Sequence, residues 1–309
     1  MPELSTHPAD AHPSDDERLI ETIVTALYRQ ILKREPDKTG LSNHARRLLD
    51  QGLGTGFPQT LAAFMNSPEY HRTFVSRAFG LSSAVSAAIF PTFKHVVSLG
   101  TQCYSSAMLQ KLGLKRYSAP FDWLFSSCEM ISHCIDDDFA TFLDKAHYAP
   151  DPEIRRAPKS TNRCDHLFYR SAFGVRHVFN HHDPTLDDDY AYFARCIERF
   201  RSVLRSGDHA LFFLVTHARD QNRDNFLRLS DTLRAASSNT HLLFVEVGRE
   251  MMEPFPQVVL RHSMPHGKMY SICPTSKWEP LSFADQINDA AIARLIGQYP
   301  MALSSRENS

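Results

Sequence analysis

Hydrophobic positions follow two different periods along this chain, and the period changes near residue 94. In "ERLIETIVTALYRQILKR", residues 17–34, Leu19, Ile23, Leu27, Ile31 and Leu32 recur at close to the helical period. Ser14 or Asp15 stands where a cap is needed, and "REPDKTG" supplies the stop. A second helix is expected in "LSNHARRLLDQG" and a third in "FPQTLAAFMNSPEYHRTFVSRAF", with Gly52, Gly54 and Gly56 breaking the pattern between them. The small apolar stretch "GLSSAVSAAIFPTF" then reads as a packed linker helix or a hinge ending at Pro91. Beyond it come "HVVSLG", "HALFFLVTH" and "HLLFVEVG", short apolar runs rich in β-branched and aromatic residues, the pattern of strands buried on both faces. Helical stretches, "DDYAYFARCIERFRSVLRSGD" and "RDNFLRLSDTLRAASS", alternate with them. The less regular "DHLFYRSAFGVRHVFNHH", with Gly174 inside it, suggests an antiparallel hairpin.

This order predicts an α/β protein, a small all-α module followed by a three-layer α/β domain with a mainly parallel sheet. The expected boundaries are a disordered N-terminus over 1–16, the helical module over 17–80 and a linker over 81–93. The α/β domain then fills 94–300, with a disordered C-terminus over 301–309.

The chain's 309 residues, 42% of them hydrophobic, suffice for a full core without staples. Lys and Arg total 34 against 35 Asp and Glu, which removes the usual electrostatic reason to expect a nucleic-acid partner. The six cysteines, Cys103, Cys128, Cys134, Cys164, Cys196 and Cys273, form no C-x-x-C pair, so neither a cysteine-held metal nor any other cofactor is expected. The polar, acidic, Pro-rich start does not read as a secretory signal, and no segment is apolar enough for a membrane helix. Both points lead to the expectation of a cytoplasmic protein without an integral membrane segment.

Cys103 stands where "VVSLG" gives way to a helical pattern. In open α/β sheets ligands sit beyond the carboxyl ends of the strands, and a helix N-terminus beside a sulfur favours thiolate. Gly100 permits a tight turn, and Gln102 offers an amide donor for an oxyanion. The alternative role for Cys103 is a small apolar filler beneath the helix. A nucleophilic thiol needs a base and a group that orients it. The densest candidate cluster is "FNHHD", with His181, His182 and Asp183; strand alternation would send the two histidines to opposite faces. His217 and His266 compete with them. In "SAPFDWLFSS", Asp122 lies between large apolar residues, where it either partners a histidine or caps the next helix.

Two resemblances follow from these motifs. "LYRQILKREPDKTGLSNHARRLLDQG" with "FMNSPEY" resembles the DUF4214 family, in which Pro36 and Gly40 shape a turn, Asp37 caps, and Ser67 with Glu69 start the last helix. That family accompanies enzymes of bacterial surface polysaccharides, which implies an accessory role and a protein partner. "SLGTQCYSSAMLQKLGLKRYSAPFDWLFSS" resembles the opening block of the DUF1796 family of papain-like cysteine peptidases, with "FNHHD" similar to its later histidine block. The resemblance implies Cys103 as nucleophile, His181 or His182 as base, and Asp122 or Asp183 as orienting carboxylate. Gly100, Thr101, Trp123, His217 and His266 are the candidate substrate contacts.

The leading expectation is a thiol-dependent hydrolase or acyl transferase acting on a small-molecule, glycan or peptide substrate. The rivals are an SGNH-like esterase or acetyltransferase, whose nucleophile also follows the first strand of a three-layer sandwich, and a non-catalytic glycan- or nucleotide-sugar-binding module in which Tyr117 and Trp278 stack on sugar rings.

Overall fold

The computed structural model describes residues 14–32, 34–65, 67, 69, 90–150, 163–253 and 255–303. The chain divides into two compact units, residues 1–74 and 75–309. The expected linker over 81–93 lies outside the described residues up to position 89.

In the first unit, helix α1 (Asp15–Leu27) opens with a capping box, Ser14 accepting from the Glu17 N–H while the Glu17 carboxylate accepts from the Ser14 N–H. Ser14, Asp15 and Asp16 therefore cap or open a helix, inside the stretch expected to be disordered. A π-helical turn over Tyr28–Leu32 follows α1. The buried stripe is Ile20, Val24, Tyr28 and Leu32, one position later than the spacing predicted, and Leu19 is exposed. These residues pack on Ala45, Leu48 and Phe64 of α2 (Lys38–Met65), a helical stretch broken at Gly52, whose φ of 69° suits glycine. Asp37 caps α2 through a 2.8 Å bond from the Gly40 N–H, and Arg34 pairs with Glu69. The rest of the expected third helix lies outside the described residues.

The second unit is a three-layer α/β sandwich. Its five-stranded sheet runs in the order β1 (His95–Ser98), β4 (Ala210–His217), β5 (Thr240–Val247), β7 (Gly267–Cys273), β6 (Gln257–Met264). The first four are parallel, and β6 is an antiparallel edge. β4 is buried from Ala210 to Thr216 and β5 along its whole length, which is why both read as continuous apolar runs.

Alternate residues serve opposite faces. Phe212, Leu214, Leu242 and Phe244 meet α4 (Cys128–Asp136), α6 (Leu167–Phe173), α7 (Asp187–Arg205) and α8 (Asn222–Ala236). Leu211, Phe213, Leu243 and Val245 meet α3 (Tyr104–Lys111) and α9 (Gln286–Ile296). A short helix α5 (Ala140–Leu143) and a small sheet of β2 (Tyr148–Pro150) with β3 (Cys164–His166) complete the first layer.

Two expectations need correction here. The hairpin expected over residues 165–182 is a short strand followed by α6, because His166 caps a helical turn by accepting from the Tyr169 N–H, and Gly174 ends it at φ 68°. Residues 301–303 are ordered, since the Phe93 N–H donates to Pro300 and the Ala302 N–H donates to Phe93. Among the described residues no helix is long and apolar enough to cross a membrane.

Candidate active site

Cys103 sits at the carboxyl end of β1 as the N-cap residue of α3. Several bonds hold the turn that presents it. The Leu99 N–H donates to Phe213 O at 2.8 Å, extending β1 along β4, and Thr101 Oγ1 donates to Val215 O at 3.2 Å. From the other side the Ser126 hydroxyl donates to Gly100 O and the Ser126 N–H to Thr101 O. A Cβ on Gly100 would lie 2.5 Å from Gln102 O, so the turn is closed too tightly for any other residue. Gly100 and Thr101 therefore build the turn, which is a shaping task distinct from substrate contact.

The segment after Pro120 carries the second half of the site. Phe125 donates its N–H to Val178 O at 3.1 Å, while Ser126 bonds the cysteine turn. Residues 125–126 thus bridge the turn and the stretch 178–183. That stretch is itself anchored by Phe179, which exchanges two backbone bonds with Cys164. The result brings His181 Nε2 to 3.8 Å from Cys103 Sγ. Asn180 Nδ2 lies 3.2 Å from the same ring nitrogen. An amide nitrogen only donates, so the tautomer that suits both neighbours is Nδ1–H with Nε2 as acceptor.

The electrostatics differ from the expectation of a preformed thiolate. Cys103 is buried, and loss of solvent pushes its thiol up, opposed by its own backbone N–H. Burial, then His182 and Arg163, hold His181 below the usual imidazole range. At rest the pair is a neutral thiol facing a neutral imidazole, an arrangement that can ionise by moving a proton from sulfur to Nε2.

Other predicted residues have different tasks. His182 turns away, its Nδ1 2.9 Å from Asp189 Oδ1 and its ring stacked on Tyr192. Asp183 folds a turn, accepting from the Thr185 hydroxyl at 2.6 Å and the Thr185 N–H at 3.1 Å. Asp122 is buried against Lys115 and accepts from the Ala119 N–H at 2.8 Å. Lys115 also donates to Ser106 on α3, so the carboxylate braces the loop against the helix that carries the cysteine. Trp123 lies under the Lys115 ammonium at 4.9 Å. Among the described residues no carboxylate is within hydrogen-bonding distance of His181. Neither Asp122 nor Asp183 orients it, because each is spent on its own loop.

His217 stands at the end of β4, on the other flank of the turn. Gln102 Nε2 donates to His217 Nε2 at 3.3 Å, and the imidazole packs at 4.5 Å on Trp278. His266 belongs elsewhere. It lies in the β6–β7 turn, its carbonyl accepting from Leu242 near the start of β5, and so it sits at the opposite end of the sheet from Cys103. Asn180 was missed from sequence although it adjoins His181 in "FNHHD", because a neutral amide in a loop carries no signal of its own beside two histidines and an aspartate. Among the described residues no cluster of three or more His, Cys, Asp or Glu side chains could hold a metal ion.

No solved structure matches the chain. An uncharacterized protein of Acanthamoeba polyphaga mimivirus is 29% identical over 166 residues, which span 48% of this chain and 74% of that protein. Residues 94–247 hold β1 to β5 together with Cys103, Asp122 and His181; they match the family described as "Putative papain-like cysteine peptidase (DUF1796)", a match that does not reach the N-terminal helices and their DUF4214-like motifs.

Proposed function

We propose that the α/β unit is a thiol-dependent acyl hydrolase in which Cys103 is the nucleophile and His181 its general base. The observation that carries this reading is the 3.8 Å approach of His181 Nε2 to Cys103 Sγ at the carboxyl end of a parallel sheet. His181 takes the thiol proton as sulfur attacks a carbonyl carbon. The oxyanion is received by the Cys103 backbone N–H and the second Gln102 amide N–H. The imidazolium then returns its proton to the departing alcohol, thiol or amine as the C–O, C–S or C–N bond breaks, leaving a thioester on Cys103. A water, deprotonated by His181, cleaves that thioester and restores the thiol. A sugar hydroxyl in place of water would make the same cycle an acyl transfer. The DUF4214-like motifs support glycoconjugates of surface polysaccharides as substrates and a docking role for the N-terminal helices.

The test is acyl trapping. Incubation with a p-nitrophenyl ester should add one acyl group to Cys103, seen by mass spectrometry of the peptide, and the adduct should vanish in His181→Ala. Absence of any adduct under conditions that acylate a free thiol overturns the proposal.

One observation favours a second reading. The parallel three-layer sandwich with its nucleophile after the first strand is the layout of SGNH-like esterases rather than of a papain half-barrel. Retained activity in Cys103→Ser would support esterase-like chemistry, whereas loss of it supports the thiol reading.

A further inference from the structure

Two arginines flank the Cys103 turn, one on either side. Arg163 immediately precedes Cys164, and Cys164 forms an antiparallel bridge with Phe179. In such a bridge the residue before one partner faces the residue after the other, which sets Arg163 opposite Asn180 and beside His181. On the other flank Arg219 stands two residues beyond His217, in the loop that leaves β4. Its charge bears on both His217 and Cys128. Among the described residues neither guanidinium has an ion pair, and Asp220, although adjacent to Arg219, makes none with it.

Four nearby carboxylates are committed elsewhere, while Glu129, like Arg219, bears on Cys128. Asp122 pairs with Lys115, Asp189 with His182, Asp183 accepts from Thr185, and Glu246 accepts from Asn222 at 3.0 Å. The neutral Cys103–His181 pair is thus framed by two cations, with the positive end of α3 beneath it. On the His217 side Trp278 adds a buried indole N–H that has no acceptor among the described residues. Guanidinium forks and N–H donors without acceptors are the chemistry that recognises an anion.

We infer that the site selects acyl substrates carrying a negative charge close to the scissile carbonyl, with Arg163 and Arg219 as the specificity-determining residues on its two sides. This rests on the thiol-acyl reading above. A carboxylate and a phosphate share the required chemistry, and the two are separated by competition with succinate and with inorganic phosphate.

The test compares two alkylating agents of nearly the same shape, neutral iodoacetamide and anionic iodoacetate. In both, the Cys103 sulfur bonds to the methylene carbon and iodide leaves. The readout is the iodoacetate-to-iodoacetamide rate ratio at Cys103, located by peptide mapping and divided by the same ratio for glutathione. The expected value is roughly tenfold above unity at low ionic strength, falling toward unity as salt is added. Arg163→Gln and Arg219→Gln should each lower it, and the corresponding Lys variants should recover part of it. The salt titration uses the unmodified chain, so it decides the matter even if a variant fails to fold. A normalised ratio at or below unity, with Cys103 still reacting readily with iodoacetamide, overturns the anion preference alone. Failure of Cys103 to be alkylated by either reagent instead overturns the nucleophile reading, and the anion preference with it.

Discussion

Cys103 Sγ and His181 Nε2 meet at 3.8 Å although 78 positions separate them in the chain. Backbone hydrogen bonds carry most of the approach, with the Thr101 and Ser126 hydroxyls bracing the cysteine turn. Phe125 is bonded to Val178, Ser126 to Thr101, and Phe179 to Cys164, so the two backbones that carry the pair cannot separate without breaking a chain of hydrogen bonds. Substituting the two adjacent histidines should therefore give opposite results. His181→Ala removes the only imidazole within reach of the sulfur among the described residues, and acylation of Cys103 should slow by about 10²–10⁴-fold with little change in stability. His182→Ala breaks the contact with Asp189 and the stack on Tyr192, costing about 1–2 kcal/mol of stability while acylation persists. Stopped-flow acylation alongside urea unfolding of both variants checks the pair of outcomes. Equal kinetic loss in both would overturn His181 as the proposed base.

The contrast also shows what was legible in the sequence. β1, β4 and β5 announced themselves because strands buried on both faces need unbroken apolar runs, as in "HALFFLVTH". Cys103 was visible for the same reason: it stands where one period ends and another begins. The partner of the sulfur was narrowed to "FNHHD" but not to one residue, since neither histidine lies in a regular strand and the direction of each ring is set by the bridge from Phe179 to Cys164. Asp122 misled because a buried carboxylate demands a cation, and the sequence does not reveal that Lys115, seven residues earlier, supplies it. The helix at Leu167–Phe173 was hidden by its aromatic residues, which favour strands until His166 supplies a cap.

Two buried histidines far from the sulfur should govern acid stability. Burial holds both His166 and His241 at about 4, against 6.5 when unfolded. Between those values the unfolded chain binds more protons than the folded one, so stability rises with pH through that window. Each contribution is complete above about pH 6.5 and lost by about pH 4, with roughly 3 kcal/mol at stake per group. His241 is the cleaner test because its Nε2 is buried with no hydrogen-bond partner among the described residues. His241→Phe should flatten the dependence of urea-unfolding free energy on pH between 4 and 6.5 without lowering stability at pH 7. An unchanged slope would show that His241 is protonated alike in both states.

Asp122 distinguishes a catalytic carboxylate from a structural one. Its side chain is 3% exposed and its partner Lys115 is 15% exposed, so removing one charge strands the other in a poorly solvated place. Asp122→Ala should cost about 3–5 kcal/mol, and the double variant Asp122→Leu with Lys115→Met should recover much of that loss. Were Asp122 the group that orients the base, both variants would lose acylation and shift its acid limb, because an imidazolium deprived of its carboxylate gives up its proton more easily. The geometry predicts otherwise. Asp122 reaches the site only through the brace from Lys115 to Ser106 on α3, so a well-folded double variant should acylate with an unmoved pH profile. Measuring the acylation rate from pH 4 to pH 9 in the double variant decides the point; a displaced acid limb in folded protein would return Asp122 to the catalytic machinery.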